Sequence, residues 1–119
     1  MRPRKSNPVL LEQVRALRKA SKASGAAIWT ALAERLEATR RNRVAVNLSR
    51  VSRVVAQGET AAVPGKVLGS GRIDHAVTVA AFDFSAEARR KIEEGGGKPM
   101  TIMELLRENP KGSGVKLIA

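Results

Sequence analysis

Few residues of this chain could carry chemistry, and their spacing argues against catalysis. Glycine precedes lysine at Gly65-Lys66 and Gly97-Lys98, the pairing found in a phosphate loop of the form GxxxxGK followed by Ser or Thr. Neither pair has glycine five positions earlier, and Val67 and Pro99 stand where the hydroxyl belongs. The glycines from Gly65 to Gly71 therefore read as turn chemistry, supplying positive φ and close backbone approach, including approach to RNA phosphates, with Lys66 and Arg72 beside them. His75 is the only histidine, there is no cysteine, and beyond Asp74 no acid is spaced to complete a metal-ligand set. It reads as a strand residue with a satisfied hydrogen bond. General acid-base catalysis needs a partnered carboxylate in a pocket, whereas Glu93-Glu94 reads as a solvated helix end. No catalytic residue, metal, cofactor or small-molecule substrate is expected.

The charge asks for a different kind of partner. Lys and Arg number 22 against 11 acids, a formal net charge of +11, and the whole excess lies before Asp74. Residues 74 to 119 hold seven basic and seven acidic side chains. A polyanion held by residues 1 to 73 accounts for that asymmetry. The absence of cysteine agrees with an intracellular setting. No apolar run approaches the ~18 residues of a membrane span, and Met1-Arg2-Pro3-Arg4-Lys5 leads to no apolar leader, so a soluble cytoplasmic protein is expected.

The elements that must position these cations follow from periodicity. Residues 1–7, with Arg2, Arg4 and Lys5, read as a basic tail, and residues 8–119 as one domain. Within the domain, 8–43 read as a basic helical part and 44–119 as a mixed α/β core. Asn7 and Pro8 start a helix with a buried stripe of Leu10, Val14 and Leu17, and Arg15, Arg18, Lys19 and Lys22 line a second, phosphate-facing stripe. Ser24-Gly25 ends it. A second helix buries Ile28, Trp29, Leu32, Ala33 and Leu36 and runs into the knot Arg40-Arg41-Asn42-Arg43.

Val44–Asn47 reads as a short strand and 48–55 as a third helix, with Leu48, Val51, Val54 and Val55 at helical spacing. Thr60 to Val67, broken by Pro64-Gly65, and His75 to Phe84 read as two strands flanking a Gly-rich turn. Ser85 caps a helix through Glu94, and Gly95 to Gly97 stop it. Thr101-x-x-Glu104 is a capping box for another helix that Asn109-Pro110 ends, and Val115 to Ile118 is a last strand.

Three guanidiniums within four residues, Arg40, Arg41 and Arg43, repel one another unless an anion lies between them, and no acid follows Glu37 to pair them. Arg89, Arg90 and Lys91 read instead as a solvated face balanced by neighbouring acids. Trp29 belongs to the apolar helical face and reads as core, while Phe82 and Phe84 point to one side of a strand. With no Tyr, the chain lacks the aromatic interleaving of single-strand readers, so it grips folded RNA by shape and phosphate contact. An alternative is a free helix-turn-helix module over 8–38, but its second helix is apolar where base edges would need polar groups.

The run Ile28-Trp29-x-x-Leu32-Ala33-x-x-Leu36, then Arg40-Arg41-Asn42-Arg43 and Val46-Asn47-Leu48-Ser49-Arg50-Val51, resembles the archaeal and eukaryotic large-subunit ribosomal protein eighteen-e family, a relative of bacterial large-subunit protein fifteen. The likeness continues through Val63-Pro64-Gly65-Lys66-Val67-Leu68-Gly69-Ser70-Gly71, Val77 to Ala81, Phe84-Ser85 and Asn109 to Val115. One departure is Ala61-Ala62, where the family carries bulkier β residues.

The resemblance implies an irregular β-β-α layered domain, without catalysis, that is a structural constituent of the large ribosomal subunit. Its implied partners are large-subunit ribosomal RNA and neighbouring ribosomal proteins. It implies RNA-facing positions at Arg40, Arg41, Arg43, Asn47, Ser49 and Arg50, with Lys66 and the turn Gly69, Ser70 and Gly71 as a second contact. Arg53 and Arg72 join these sets as flanking cations. The length suits an archaeal member.

Overall fold

The structure, a computed structural model, describes residues 8–38 and 44–118, with side chains described over 12–37 and 45–118. Helix α1 (Pro8–Ser24) and helix α2 (Ala27–Ala38) come first, followed by strand β1 (Val44–Asn47), helix α3 (Leu48–Val54) and strand β2 (Thr60–Leu68). Strand β3 (Thr78–Phe84), helix α4 (Ala86–Glu94), strand β4 (Lys98–Thr101), helix α5 (Ile102–Glu108) and strand β5 (Val115–Leu117) complete the order. Gly25 ends α1 at φ +75° with its N–H on the Ser21 carbonyl, the left-handed conformation that glycine adopts without steric cost.

All described pairings in the sheet are parallel. β2 is central. β3 lies on one side of it, with β4 beyond; on the other side, β1 pairs with its Gly65–Leu68 half and β5 with its Thr60–Ala62 half. Parallel sheets are covered on both faces, so their strands read as near-continuous apolar runs. β2 is buried from Ala61 to Gly65 accordingly. The small side chains of Ala61 and Ala62 fall where β2 is flanked by β3 and β5 at once.

Two cores result. α1, α2 and α5 cover one face with Val14, Leu17, Trp29, Leu32, Leu36 and Leu105 over Ala62, Ala80 and Met100. α3 and α4 cover the other, with Leu48, Val51, Ala88 and Ile92 over Ala61, Val63, Val67, Val79 and Ala81. Layered α/β architecture is thus what forms. Trp29 is fully buried, and its indole Nε1 donates to the Pro110 carbonyl at 2.7 Å. Ser85 and Thr101 cap α4 and α5 as the sequence predicts, the second through a complete capping box with Glu104.

Several expectations need correction. Pro64-Gly65 does not break β2: the strand continues through it, with a register shift against β3 between Val63 and Lys66 that absorbs the irregularity. β2 and β3 do flank the Gly-rich turn Gly69 to Gly71, but they pair in parallel. Their connection, residues 69–77, runs along α3 from the Ser49–Ser70 backbone bond (3.2 Å) to the contact of His75 with the Val55 carbonyl (2.6 Å), returning the chain so that β3 starts parallel. His75 belongs to that connection and not to a strand. β4 is an additional strand, hidden in the sequence because Pro99 cannot donate to a ladder; proline is tolerated on a sheet edge. Phe82 packs into one core and Phe84 against the other, so they do not share a side. Val54 stays outside, 41% exposed.

The helix-turn-helix alternative fails on packing. The Thr30 hydroxyl donates to Ser21 (2.6 Å) and Arg18 pairs with Glu37, which lays α1 and α2 side by side as a hairpin. Trp29, Leu32, Ala33 and Leu36 are buried beneath it, leaving no recognition face there.

Candidate nucleic-acid interface

Among the described residues, the predicted cations fall in two separate places, on opposite layers of the fold. On the α1–α2 layer, Arg15, Arg18, Lys19 and Lys22 are exposed and, with Ser21 and Thr30, line a shallow groove between the helices. Arg18 is partly neutralised by Glu37. The stripe exists because the inner face of α1 is held by Val14 and Leu17, which fixes the rotation of the helix.

The second surface forms at the carboxyl ends of β1 and β2, the end of an open parallel sheet where ligands bind. Asn47 and Leu68 are register partners there, so the residues after each strand are neighbours. Asn47 precedes α3 in extended conformation, its side chain exposed and engaged in no capping bond. Leu48 and Val51 anchor the inner face of α3, which turns Arg50 and Arg53 outward; among the described residues neither pairs with an acid.

The turn Gly69, Ser70 and Gly71 packs directly on this helix. Gly71 has φ +89°, and a Cβ there would meet the Ser49 Cβ at 2.5 Å and its backbone N at 2.9 Å. Only glycine lets the two segments approach so closely. Gly69 is buried, with the Glu87 side chain where its own Cβ would stand. Ser70, Gly71 and Arg72 are exposed. The two contacts that the family resemblance implies separately, Asn47 to Arg50 and Gly69 to Gly71, therefore meet as one continuous surface. Lys66 is half-buried on β2, between Ala45 and Asp83, so an acid is its register neighbour. Arg2, Arg4, Lys5, Arg40, Arg41 and Arg43 lie outside the described residues.

Two contacts beside the turn and α4 escape sequence reasoning. Lys91 is not part of a solvated face: its ammonium donates to the Gly69 carbonyl (2.7 Å) and the Gly71 carbonyl (3.0 Å), 22 and 20 positions back along the chain, a separation that no local spacing rule can detect. Arg89 lies 5.2 Å from the centre of the Phe84 ring and covers it. Arg89 and Arg90 are both exposed, as expected of a solvated face, and Arg90 pairs with Glu94 one turn on.

Beside the turn, His75 faces two acceptors at once, Asp74 Oδ1 at 2.6 Å and the Val55 carbonyl at 2.6 Å. Both ring nitrogens must carry protons to satisfy them, so the bond to Asp74 first and that to Val55 second raise the imidazole above its ordinary pKa. Asp74 is lowered in turn by His75 and then by the Ser52 hydroxyl. Among the described residues no group of three or more His, Cys, Asp or Glu could hold a metal ion, and no helix is long and apolar enough to cross a membrane.

The surfaces offer cations and backbone to an anion but no exposed stacking ring: Trp29 is buried, and Phe82 and Phe84 are half-buried. The profile of the family described as ribosomal protein 60S L18 and 50S L18e matches residues 1–119. The chain belongs to that family. Large ribosomal subunit protein eL18 of Methanothermobacter thermautotrophicus is 50% identical over 114 residues, 96% of this chain and 94% of that protein. The protein of the same name from Methanoregula boonei is 47% identical over the same shares of both chains. That of Methanosphaerula palustris is 46% identical over 117 residues, 98% of this chain and 97% of its own. Since the family match spans the whole chain, it includes both cationic surfaces and the packed core that separates them.

Proposed function

We propose that this protein is a structural constituent of the large ribosomal subunit that binds and stabilises folded large-subunit ribosomal RNA through phosphate contacts. The full-length family match carries this reading, and it makes the protein a component of the ribosome in the cytoplasm and not an enzyme. The concentration of the entire +11 in residues 1 to 73 supports RNA as the ligand. The RNA-facing residues on this reading are Arg15, Arg18, Lys19 and Lys22 on α1, and Asn47, Ser49, Arg50 and Arg53 at α3. Lys66 and the turn from Gly69 to Arg72 adjoin the latter. Arg2, Arg4 and Lys5 of the tail and the knot Arg40, Arg41 and Arg43 complete the set.

A tail over 1–7 precedes one domain over 8–119, and the hydrogen bond from Trp29 to Pro110 supports treating its helical and α/β parts as one unit. The electrically balanced residues 74 to 119 complete the scaffold and meet protein neighbours. Kinship with bacterial large-subunit protein fifteen belongs to the same proposal and is supported by the motif resemblance. Sedimentation of cell extract on a sucrose gradient tests the function: the protein travels with the large subunit in near-unit ratio, and finding most of it near the top overturns the reading.

A further inference from the structure

We infer that Lys91 is a positioning residue that makes the turn from Gly69 to Arg72 receptive to a phosphodiester oxygen through the main chain, without itself touching RNA. This rests on the reading of that turn as an RNA contact. Three successive carbonyls of the turn are engaged. Gly69 and Gly71 accept from the Lys91 ammonium at 2.7 and 3.0 Å, and Ser70 accepts from the Ser49 N–H at 3.2 Å.

Each peptide is planar and trans, so the N–H that follows a carbonyl points the opposite way. The N–H groups of Ser70, Gly71 and Arg72 are thereby turned away from Lys91 and Ser49, on three residues that are all exposed. None of the three donates to another described residue. Carbonyl oxygens facing outward would repel a phosphate; carbonyls drawn inward leave the positive ends of the peptide dipoles at the surface. An ammonium is suited to this because charge-assisted hydrogen bonds are stronger than neutral ones, and α4 supplies it from a rigid element whose inner face, Ala88 and Ile92, is buried. The Arg72 side chain then adds charge beside a site shaped by backbone.

The test compares Lys91→Met with Arg72→Ala in the full chain, binding to protein-free large-subunit ribosomal RNA over a range of salt. Lys91→Met is expected to weaken binding about tenfold with an unchanged salt slope, because the groups it misaligns are neutral N–H donors that displace no counterion. Arg72→Ala is expected to weaken binding and to flatten the slope by the equivalent of about one phosphate. In the free Lys91→Met protein the Ser49 amide, which leans on the turn, should exchange about tenfold faster, and Lys91→Arg should restore part of both effects. A slope flattened by Lys91→Met as much as by Arg72→Ala would make Lys91 a direct phosphate contact and overturn the inference. Full affinity in Lys91→Met while Arg72→Ala is weakened would overturn the inference alone, whereas full affinity in both overturns the reading of the surface on which it rests. Should Lys91→Met not fold, Lys91→Ala removes the donor without laying an apolar chain against the turn, and the same criteria apply.

Discussion

Replacing Trp29 by Ala is the severest test of the packing that holds the cationic surfaces apart. The ring is fully buried between α1, α5 and the sheet, and its N–H meets the Pro110 carbonyl at 2.7 Å. A tryptophan buries about 150–250 Å², which at about 25 cal/mol per Å² is roughly 4–6 kcal/mol, an upper bound because the unfolded chain is not fully extended. Truncations of this kind cost about 3–5 kcal/mol, and a carbonyl deprived of its donor adds about 1 kcal/mol. A loss near 4–5 kcal/mol would remove a large part of the roughly 5–15 kcal/mol that stabilises a domain. Urea unfolding followed by far-ultraviolet circular dichroism measures it, since the substitution deletes the only indole. The midpoint should fall steeply with little change in slope. Trp29→Phe, which keeps most of the ring but not the hydrogen bond, should cost only about 1–2 kcal/mol. A Trp29→Ala protein that unfolds within about 1 kcal/mol of the parent yet no longer binds RNA would show that the ring is a stacking platform, and the core assignment would be wrong.

Other consequences are equally open to measurement. His75→Gln should lower the melting temperature most near pH 5 and progressively less toward alkaline pH. The raised His75 pKa contributes stability below the ordinary 6.5 and loses it as pH rises through the folded value, while the lowered Asp74 contributes above 3.8 and fails in acid. A melting difference that grows with pH would contradict this. Replacing Arg40, Arg41 and Arg43 together by Ala should weaken incorporation into the large subunit and flatten the salt dependence of RNA binding, by about 0.9 in logarithmic slope for each phosphate no longer neutralised. The melting curve should scarcely move, and equal incorporation would refute the phosphate role of the knot. Thr101→Ala opens the capping box of α5 and should cost about 0.5–2 kcal/mol in thermal denaturation, with RNA affinity at the folding temperature unchanged.

Local signals in the sequence expose every helix among the described residues, because caps, glycine stops and 3.6-residue periodicity are properties of neighbours in the chain. Gly25, Ser85 and the Thr101–Glu104 box each mark a boundary that the fold respects. The strands are harder. β2 is sandwiched on both faces, so its pattern is nearly uniform, and its partners are chosen by long-range packing that alternation cannot encode. β4 is legible only to a reader who admits proline at an edge. At the candidate interface, residue type and charge pick out the arginines and glycines, but their union into one surface depends on the Ser49–Ser70 contact and on Lys91, which are joined by tertiary structure alone. Net charge over a stretch also misleads in detail: it discounts Lys91 because acids surround it in sequence, whereas its ammonium is turned toward two carbonyls.

The pairing of β5 with β2, together with the Trp29 bond to a carbonyl 81 residues on, has a consequence for how the chain comes to be folded. Synthesis delivers the most basic stretch before the residues that seat α2 and close the edge of the central strand. Helices α1 and α2 can form early as local structure, and their docking must wait. Contacts of such sequence separation slow folding, since the entropy of loop closure is lost before any packing compensates it. A nascent chain that is strongly cationic and not yet folded is therefore exposed, for the length of its own synthesis, to whatever polyanion is nearest. The order of its segments sets the cationic stretch ahead of the packing that completes the fold.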